Sequence, residues 1–291
     1  MHNKVFSKET ILKKILGLCL CILAGIANAN ETITVAATKI PQAEILEFVK
    51  PSLEKQGYNL EIVEYNNYQA QPLLSTPGSA GFNPNDAVYF KHVDANFFQH
   101  QPYLDNYNLL HKKVKLVAVA GIFSAPLGLY ANPETEADFI QTKKISDLTK
   151  AVVGIPDDQV NDARALLFLQ DQGLIKLKPN KQGFYTRRDI INNPYNLKVV
   201  EADPSVLASM LKAKKLNVAV INSSMAYQSG LNVAKKAVLM EKLDPRYVNI
   251  VAVRPEFANS PKIKALVQAL MSPEVKEFIE TKYNRAIVPA F

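Results

Sequence analysis

Cysteine is scarce in this chain: the only two, Cys19 and Cys21, lie in an apolar run near the start. The run extends from Ile15 to Ile26. Its roughly 12 residues fall short of the roughly 20 that a bilayer-spanning helix needs. Four lysines precede it, and the small-x-small triplet Ala27-Asn28-Ala29 follows it. This order is typical of an export signal, so we predict a signal peptide at residues 1–29, cleaved after Ala29. A retained anchor helix is the alternative.

The predicted mature chain, residues 30–291, contains no cysteine, which excludes disulfide bonds and thiol chemistry. A lipid anchor would need a cysteine directly after a small residue at the end of the apolar run, but Leu23-Ala24-Gly25 is followed by Ile26. We therefore expect a protein free in the periplasm. Attachment to the periplasmic side of the membrane is the alternative.

Concentrated positive charge is also missing. The full chain has a formal net charge of +7, and removing residues 1–29 takes away four lysines and one glutamate, which leaves +4. The lysines occur in small separate groups such as Lys112-Lys113 and Lys235-Lys236. Nucleic-acid-binding proteins gather basic residues on one face, so we expect no nucleic-acid partner.

Catalytic signatures are missing as well. The sequence has no G-x-S-x-G elbow, no phosphate-binding glycine loop and no H-E-x-x-H helix. None of the four histidines has a second histidine or a cysteine at metal-ligand spacing. We predict a protein that is not an enzyme and that uses neither a metal nor a cofactor.

What the chain does contain is an alternation of short apolar runs with helical patterns, which predicts an α/β fold. Unbroken apolar runs are typical of strands covered on both faces. One helix follows from the spacing of Ile263, Leu266, Val267 and Leu270, and Ser272-Pro273 predicts the start of the last helix. The predicted strands are Ile33–Ala37, Leu60–Val63, Val114–Val119, Ala151–Ile155, Leu197–Glu201, Asn217–Ile221 and Val248–Val253.

Proline and polar residues predict interruptions of this pattern. Pro51 falls within the first helical pattern and is expected to kink or end that helix. The segments 71–85 and 186–196 are expected to be loops, because they are rich in turn-forming residues.

Four local motifs and a tyrosine segment carry a resemblance to a known family. The motifs are D-A-N-F-F-Q-H-Q-P-Y-L at 94–104, N-D-A-R at 161–164, A-V-I-N at 219–222 and Y-V-N at 247–249, and Tyr68 lies in a further matching segment. Together they resemble the methionine-binding lipoproteins of the NlpA/MetQ type, over nearly all of residues 33–291. The missing lipid-site cysteine departs from that family, as does a spacing between Tyr68 and Asp94 that is longer by about a dozen residues.

The resemblance implies a two-lobed periplasmic solute-binding protein, type II-like, with two crossovers and a ligand cleft between the lobes. Lobe 1 is expected at residues 30–128 plus 240–291, and lobe 2 at 129–239. The implied function is capture of methionine by a monomeric chain and its delivery to an ABC transporter permease with its ATPase. The alternatives are another amino acid or a small dipeptide as ligand, an exported enzyme on a similar scaffold, and a surface adhesin.

The ligand-binding residues carried over onto this chain are Tyr68, His100, Tyr103, Asn161, Arg164, Asn222 and Asn249. A buried zwitterion needs a cation for its carboxylate and carbonyl oxygens for its ammonium group. Arg164, placed in the first turn of a helix, is expected to bind the carboxylate. Asn222 and Asn249 are expected to offer amide oxygens, although Asn222 could simply end a strand and Asn249 could pair with backbone.

Aromatic residues are expected to surround the ligand side chain. Tyr68, His100 and Tyr103 would form the wall, with Phe97 and Phe98 behind it, and at least one phenylalanine is expected to be ordinary core. Asn161 could cap its helix, contact the ligand, or do both.

Overall fold

The computed structural model describes residues 30–65, 83–142, 144–179 and 181–291. The predicted signal peptide at 1–29 and Tyr68 lie outside this part of the chain. The helices are α1 (Glu44–Glu54), α2 (Pro84–Tyr89), α3 (Gln101–Leu110), α4 (Pro133–Thr142), α5 (Gln159–Asp171), α6 (Pro204–Lys212), α7 (Ser223–Gln228), α8 (Val233–Lys236), α9 (Pro261–Leu270) and α10 (Pro273–Lys282). The strands are β1 (Glu31–Thr38), β2 (Tyr58–Tyr65), β3 (Ala95–His100), β4 (Val117–Ser124), β5 (Leu127–Ala131), β6 (Val152–Pro156), β7 (Lys176–Leu177), β8 (Ile190–Asn192), β9 (Lys198–Ala202), β10 (Val218–Asn222), β11 (Ala237–Met240), β12 (Val248–Val253) and β13 (Val288–Pro289).

The larger sheet has the strand order β13-β4-β12-β3-β1-β2. Its strands β2, β1 and β3 run parallel to one another, and helices cover them because parallel strands need crossover connections. Next to this parallel trio lies β12, which is antiparallel to β3 and to β4.

The second sheet repeats the plan in the order β11-β5-β10-β6-β9. Here β9, β6 and β10 are parallel, and β5 is antiparallel to both β10 and β11. In each sheet the antiparallel strand next to the parallel trio is the one that the chain enters directly after leaving the other sheet. This shared topology confirms the predicted type II-like α/β class.

Two crossovers connect the sheets. The first lies between Ser124, the end of β4, and Leu127, the start of β5, and the second between Met240, the end of β11, and Val248, the start of β12. The predicted lobe limits at 128/129 and 239/240 fall at the start of β5 and the end of β11. Which residues move together as a lobe stays a prediction.

Burial explains why the strands lack alternation. All six residues of β3 are buried, and Val218, Ala219, Val220 and Ile221 of β10 are at most 1% exposed. A strand covered on both faces has no solvent-facing side, so polar and apolar residues do not alternate along it. No helix in the described part of the chain has both the length and the apolar content to cross a membrane.

Several predicted elements are confirmed. The strand predicted at Val248–Val253 matches β12, and Ser272 caps α10 by accepting a hydrogen bond from the backbone of Val275 at 3.3 Å. In α9, Ile263, Leu266 and Leu270 are buried.

Other expectations were wrong in detail. The strand predicted at Val114–Val119 begins only at Val117 and runs on to Ser124. Strands β3, β5, β7, β8, β11 and β13 were missed. Pro51 lies inside α1, which continues to Glu54, so it does not end the helix, and the kink stays a prediction.

The two predicted loops contain regular structure. In the loop predicted at 71–85, Asn85 is a buried residue of α2, while 71–82 lie outside the described residues. The loop predicted at 186–196 contains a short 3-10 turn and β8.

Candidate ligand-binding site

A cavity of about 930 Å³, measured out to its open mouth, lies between the two sheets. Residues at the carboxyl ends of strands in both sheets line it, which is where open α/β sheets bind ligands. Thr38 ends β1, His100 ends β3, Pro156 ends β6 and Asn222 ends β10. The described lining residues are Thr38, Lys39, Ile40, Gln42, Phe98, Gln99, His100, Tyr103, Leu127, Pro156, Asn161, Pro204, Ser205, Leu207, Ile221, Asn222, Ser224, Met225, Gln228 and Asn249.

His100 is a buried, neutral wall of this cavity. It caps α3, since its Nδ1 accepts a hydrogen bond from the backbone of Tyr103 at 3.4 Å. Nδ1 therefore carries no proton, and Nε2 donates to Oδ1 of Asn161 at 3.1 Å. Burial, and next the positive charge of Arg164, lower the pKa of His100 to about 3.

The ring of Tyr103 adjoins His100, with ring centroids 6.4 Å apart. Tyr103 packs edge-on against Phe98, with ring centroids 5.7 Å apart, and both residues line the cavity. Burial raises the pKa of the Tyr103 hydroxyl above its usual range, so it stays protonated and can donate. Phe97 is core: it is fully buried and packs against Phe123 at 5.7 Å.

Asn161 lines the cavity, but it does not cap its helix. The cap of α5 is Asp158, whose carboxylate accepts from the backbone of Asn161 at 3.0 Å and from its Nδ2 at 3.1 Å. With Nδ2 held by Asp158 and Oδ1 facing His100, the amide of Asn161 has a fixed orientation.

Asn222 joins the end of β10 to the start of α7. Its Oδ1 accepts from the backbone and the hydroxyl of Ser224, at 3.0 and 2.6 Å, and its Nδ2 donates to the carbonyl of Ala125 at 3.1 Å. Capping and cavity lining are thus combined in one residue, and the side chain also contacts the first crossover.

The amide of Asn249 is hydrogen-bonded to Gln42, which is 207 positions away in the sequence. Its Oδ1 accepts from Nε2 of Gln42 at 3.0 Å, and Thr38 donates its hydroxyl to Oε1 of the same glutamine at 2.7 Å. A carbonyl oxygen has two lone pairs, so the Asn249 oxygen can accept one more hydrogen bond from a ligand.

Arg164 lies beside the cavity and does not line it. It is the sixth residue of α5, so it belongs to the second turn and not to the first, as was expected. Its side chain is only 3% exposed and pairs with Glu241 through Nη2 at 2.5 Å and Nε at 3.0 Å. Nη2 also donates to the carbonyl of Ala125 at 3.2 Å, while Nη1 is buried without a hydrogen-bond partner.

Tyr247 connects Arg164 to the cavity wall. The guanidinium carbon lies 3.9 Å from the centre of the Tyr247 ring, and the same ring packs edge-on against His100 at 5.2 Å. The flat guanidinium is thereby held between an aromatic face and a carboxylate, an arrangement that suits arginine and not lysine.

Five of the seven predicted residues line one cavity, Arg164 adjoins it, and Tyr68 lies outside the described residues. Sequence reasoning missed Thr38, Gln42 and Glu241. Thr38 and Gln42 follow the first predicted strand, so the strand-end rule could have found them, whereas nothing near Glu241 pointed to Arg164. The described residues contain no group of three or more histidine, cysteine, aspartate or glutamate residues able to hold a metal.

Two sheets of equal topology, two crossovers and an amide-lined and aromatic-lined cavity between strand ends define a type II-like solute-binding protein. The family model of the NlpA lipoprotein matches residues 33–291. The chain therefore belongs to the NlpA lipoprotein family, as its motifs predicted.

Relatives in this family carry names that specify a ligand. The methionine-binding lipoprotein MetQ of Bacillus subtilis is 33% identical, with 95% of this chain and 98% of that protein covered. The D-methionine-binding lipoprotein MetQ of Escherichia coli K12 is 34% identical, with coverages of 82% and 80%. A nutrient-binding protein from Burkholderia cenocepacia, solved bound to methionine, is 34% identical with a TM-score of 0.77, and the match covers 89% of this chain and 100% of that one. These relatives are binding proteins by name.

Proposed function

We propose that this chain captures methionine in the periplasm and delivers it to the permease of an ABC importer. The observation that carries the proposal is the convergence of His100, Tyr103, Asn161, Asn222 and Asn249 on one cavity between the two sheets. The methionine-bound relative from Burkholderia cenocepacia and the methionine-binding relatives support the choice of ligand.

The polar end of methionine would be held by a cation and by amide oxygens. Nη1 of Arg164, buried and without a partner, is assigned to the carboxylate, because arginine binds carboxylates with strong charge-assisted hydrogen bonds. The Asn249 oxygen is assigned to the ammonium group, since it retains one free lone pair. Asn222 is the weaker acceptor of the two, because its oxygen already accepts twice from Ser224.

The thioether end would lie among apolar and aromatic side chains. Phe98, Tyr103, Leu127 and Met225 supply this wall. Sulfur packs favourably against ring edges, by about 0.3–1.5 kcal/mol for each contact. Neutral His100 adds an uncharged wall, which keeps this end of the cavity suitable for an apolar chain.

Transport would proceed by closure of two lobes, residues 30–128 plus 240–291 and residues 129–239, around the ligand. The two crossovers would act as the hinge. Methionine would shift the chain to the closed form only because methionine binds the closed form more tightly than the open form. The mature chain would begin at Asn30 and act as a monomer, and its closed form would dock on the permease.

Native mass spectrometry of the purified mature chain tests the proposal, followed by calorimetry with L-methionine and D-methionine. We expect a retained ligand of the mass of methionine and saturable binding of at least one enantiomer. A thermal-shift screen of the other amino acids and of small dipeptides serves as the comparison. Stabilisation by another solute with no response to methionine would refute the assignment.

A further inference from the structure

The Glu241 carboxylate pairs with Arg164, the cation assigned to the ligand carboxylate. Glu241 holds Arg164 with both oxygens, and its Oε2 also accepts a hydrogen bond from the backbone of Leu127 at 2.8 Å. The backbone N–H of Glu241 donates to the Leu127 carbonyl, again at 2.8 Å. Glu241 belongs to the second crossover, and Leu127 directly follows the first crossover. The Glu241 carboxylate therefore cannot move away from Arg164 without breaking its hydrogen bond to Leu127.

This pairing cancels the positive charge at the cavity. Glu241 neutralises Arg164, Asp158 is hydrogen-bonded to Asn161, and His100 is uncharged. Lys39 lines the cavity but is exposed to solvent, where its charge is screened. Of these four described side chains, Arg164 and Lys39 are positive and Glu241 and Asp158 are negative, and the neighbouring pair of Arg246 and Asp244 adds one charge of each sign.

We propose that Glu241 determines the charge class of the ligand: it keeps the site neutral, so that the site accepts zwitterions and rejects monoanions of the same shape. The proposal rests on the proposed function, in which Arg164 binds the ligand carboxylate. A zwitterion brings an ammonium group whose attraction to Glu241 offsets the repulsion between the two carboxylates. A monoanion lacks that compensation. Because charges a few ångströms apart interact strongly in an enclosed site, we expect a zwitterion to bind about tenfold or more tightly than the monoanion of the same shape.

The test compares methionine with 4-(methylthio)butanoate, which has the same side chain and carboxylate but no ammonium group. Calorimetry measures both dissociation constants for the unaltered chain, for Glu241→Gln, and for the control Glu256→Gln. The control removes the charge of a glutamate whose side chain is 41% exposed and pairs with Arg254 at 2.6 Å. We expect Glu241→Gln to lower the preference for methionine over the monoanion by about tenfold, and we expect no change in the control.

A purely structural role of Glu241 would weaken both ligands alike, so an unchanged affinity ratio in a folded Glu241→Gln variant would overturn the proposal. If Glu241→Gln does not fold, Glu241→Asp, which keeps the charge, must preserve the ratio of the unaltered chain.

Failure of the proposed function is recognised separately, by the absence of methionine binding to the unaltered chain. A thermal-shift panel of other amino acids, each paired with its deamino acid, then decides the inference. A zwitterion as the best ligand supports it. Preference for a monoanion, or no response at all, overturns it.

Discussion

Replacing Arg164 by glutamine tests the cation on which methionine capture depends. The substitution leaves a ligand carboxylate buried without its cation, at a cost of about 3–5 kcal/mol. Because each 1.4 kcal/mol is a factor of ten, the dissociation constant should rise by about a hundredfold to a few thousandfold. Glu241 remains fixed by Leu127, and its repulsion of the ligand carboxylate places the expected loss towards the upper end.

Folding must be separated from binding in this variant. Arg164→Gln also deprives Glu241 of its partner, and the Glu241 side chain is only 14% exposed, so the unfolding temperature should fall as well. Arg164→Lys keeps the charge but loses the two-pronged pairing and the stacking on Tyr247. We expect it to lose less affinity than glutamine does.

Arg187→Gln is the matched control. Arg187 pairs with Glu201 through two nitrogens, like Arg164 with Glu241, but its side chain is 49% exposed. Exposed pairs contribute about 0–1 kcal/mol to stability, so this variant should bind methionine normally. Calorimetry at 25 °C on material shown to be folded by circular dichroism decides the outcome. A folded Arg164→Gln variant that binds methionine within about threefold of the unaltered chain would refute the assigned role of Arg164.

Three further predictions concern pH and the amide network. The pKa of His100 in the folded chain is about 3, below its ordinary value of 6.5. As the pH falls, His100 is therefore protonated in the unfolded chain before it is protonated in the folded chain. Stability should therefore fall by up to about 1.4 kcal/mol per pH unit as the pH drops below 6.5, and denaturant titrations between pH 5 and pH 8 should show this slope disappear in His100→Gln. Asp162 acts in the opposite direction. Burial, and next the charges of Glu201 and Asp158, raise its pKa from 3.8 to about 7. Its contribution to the free energy of unfolding is therefore lost as the pH rises from 3.8 through 7. Asp162→Asn should then stabilise the fold at pH 8 by about 1–3 kcal/mol, and equal unfolding midpoints of both proteins at that pH would contradict the reasoning. Gln42→Ala removes the hydrogen bond that orients Asn249, worth about 0.5–1.5 kcal/mol. Calorimetry should show methionine binding weakened by about two- to tenfold, and unchanged affinity would mean that Asn249 is oriented by other contacts.

Much of the cavity wall could be foreseen because function concentrates at strand ends. His100, Asn222 and Asn249 lie in short motifs within or at the end of strands, and for Asn222 and Asn249 the strand itself was also predicted from the sequence. The missed strand β3 shows the limit of this reasoning. Its residues are aromatic and amide-bearing without alternation, because all six are buried between β1 and β12.

The sequence by itself determined the α/β class, the family, seven of the thirteen described strands and five of the residues that line the cavity. Only the tertiary structure decided how their charges and amides are paired. Arg164 and Glu241 are 77 positions apart, and Gln42 and Asn249 are 207 apart. Local propensity and periodicity act over a few residues, whereas ion pairs and buried amide contacts depend on which strands the crossovers bring together. For that reason the cation could be named from its motif, while the carboxylate that neutralises it could not.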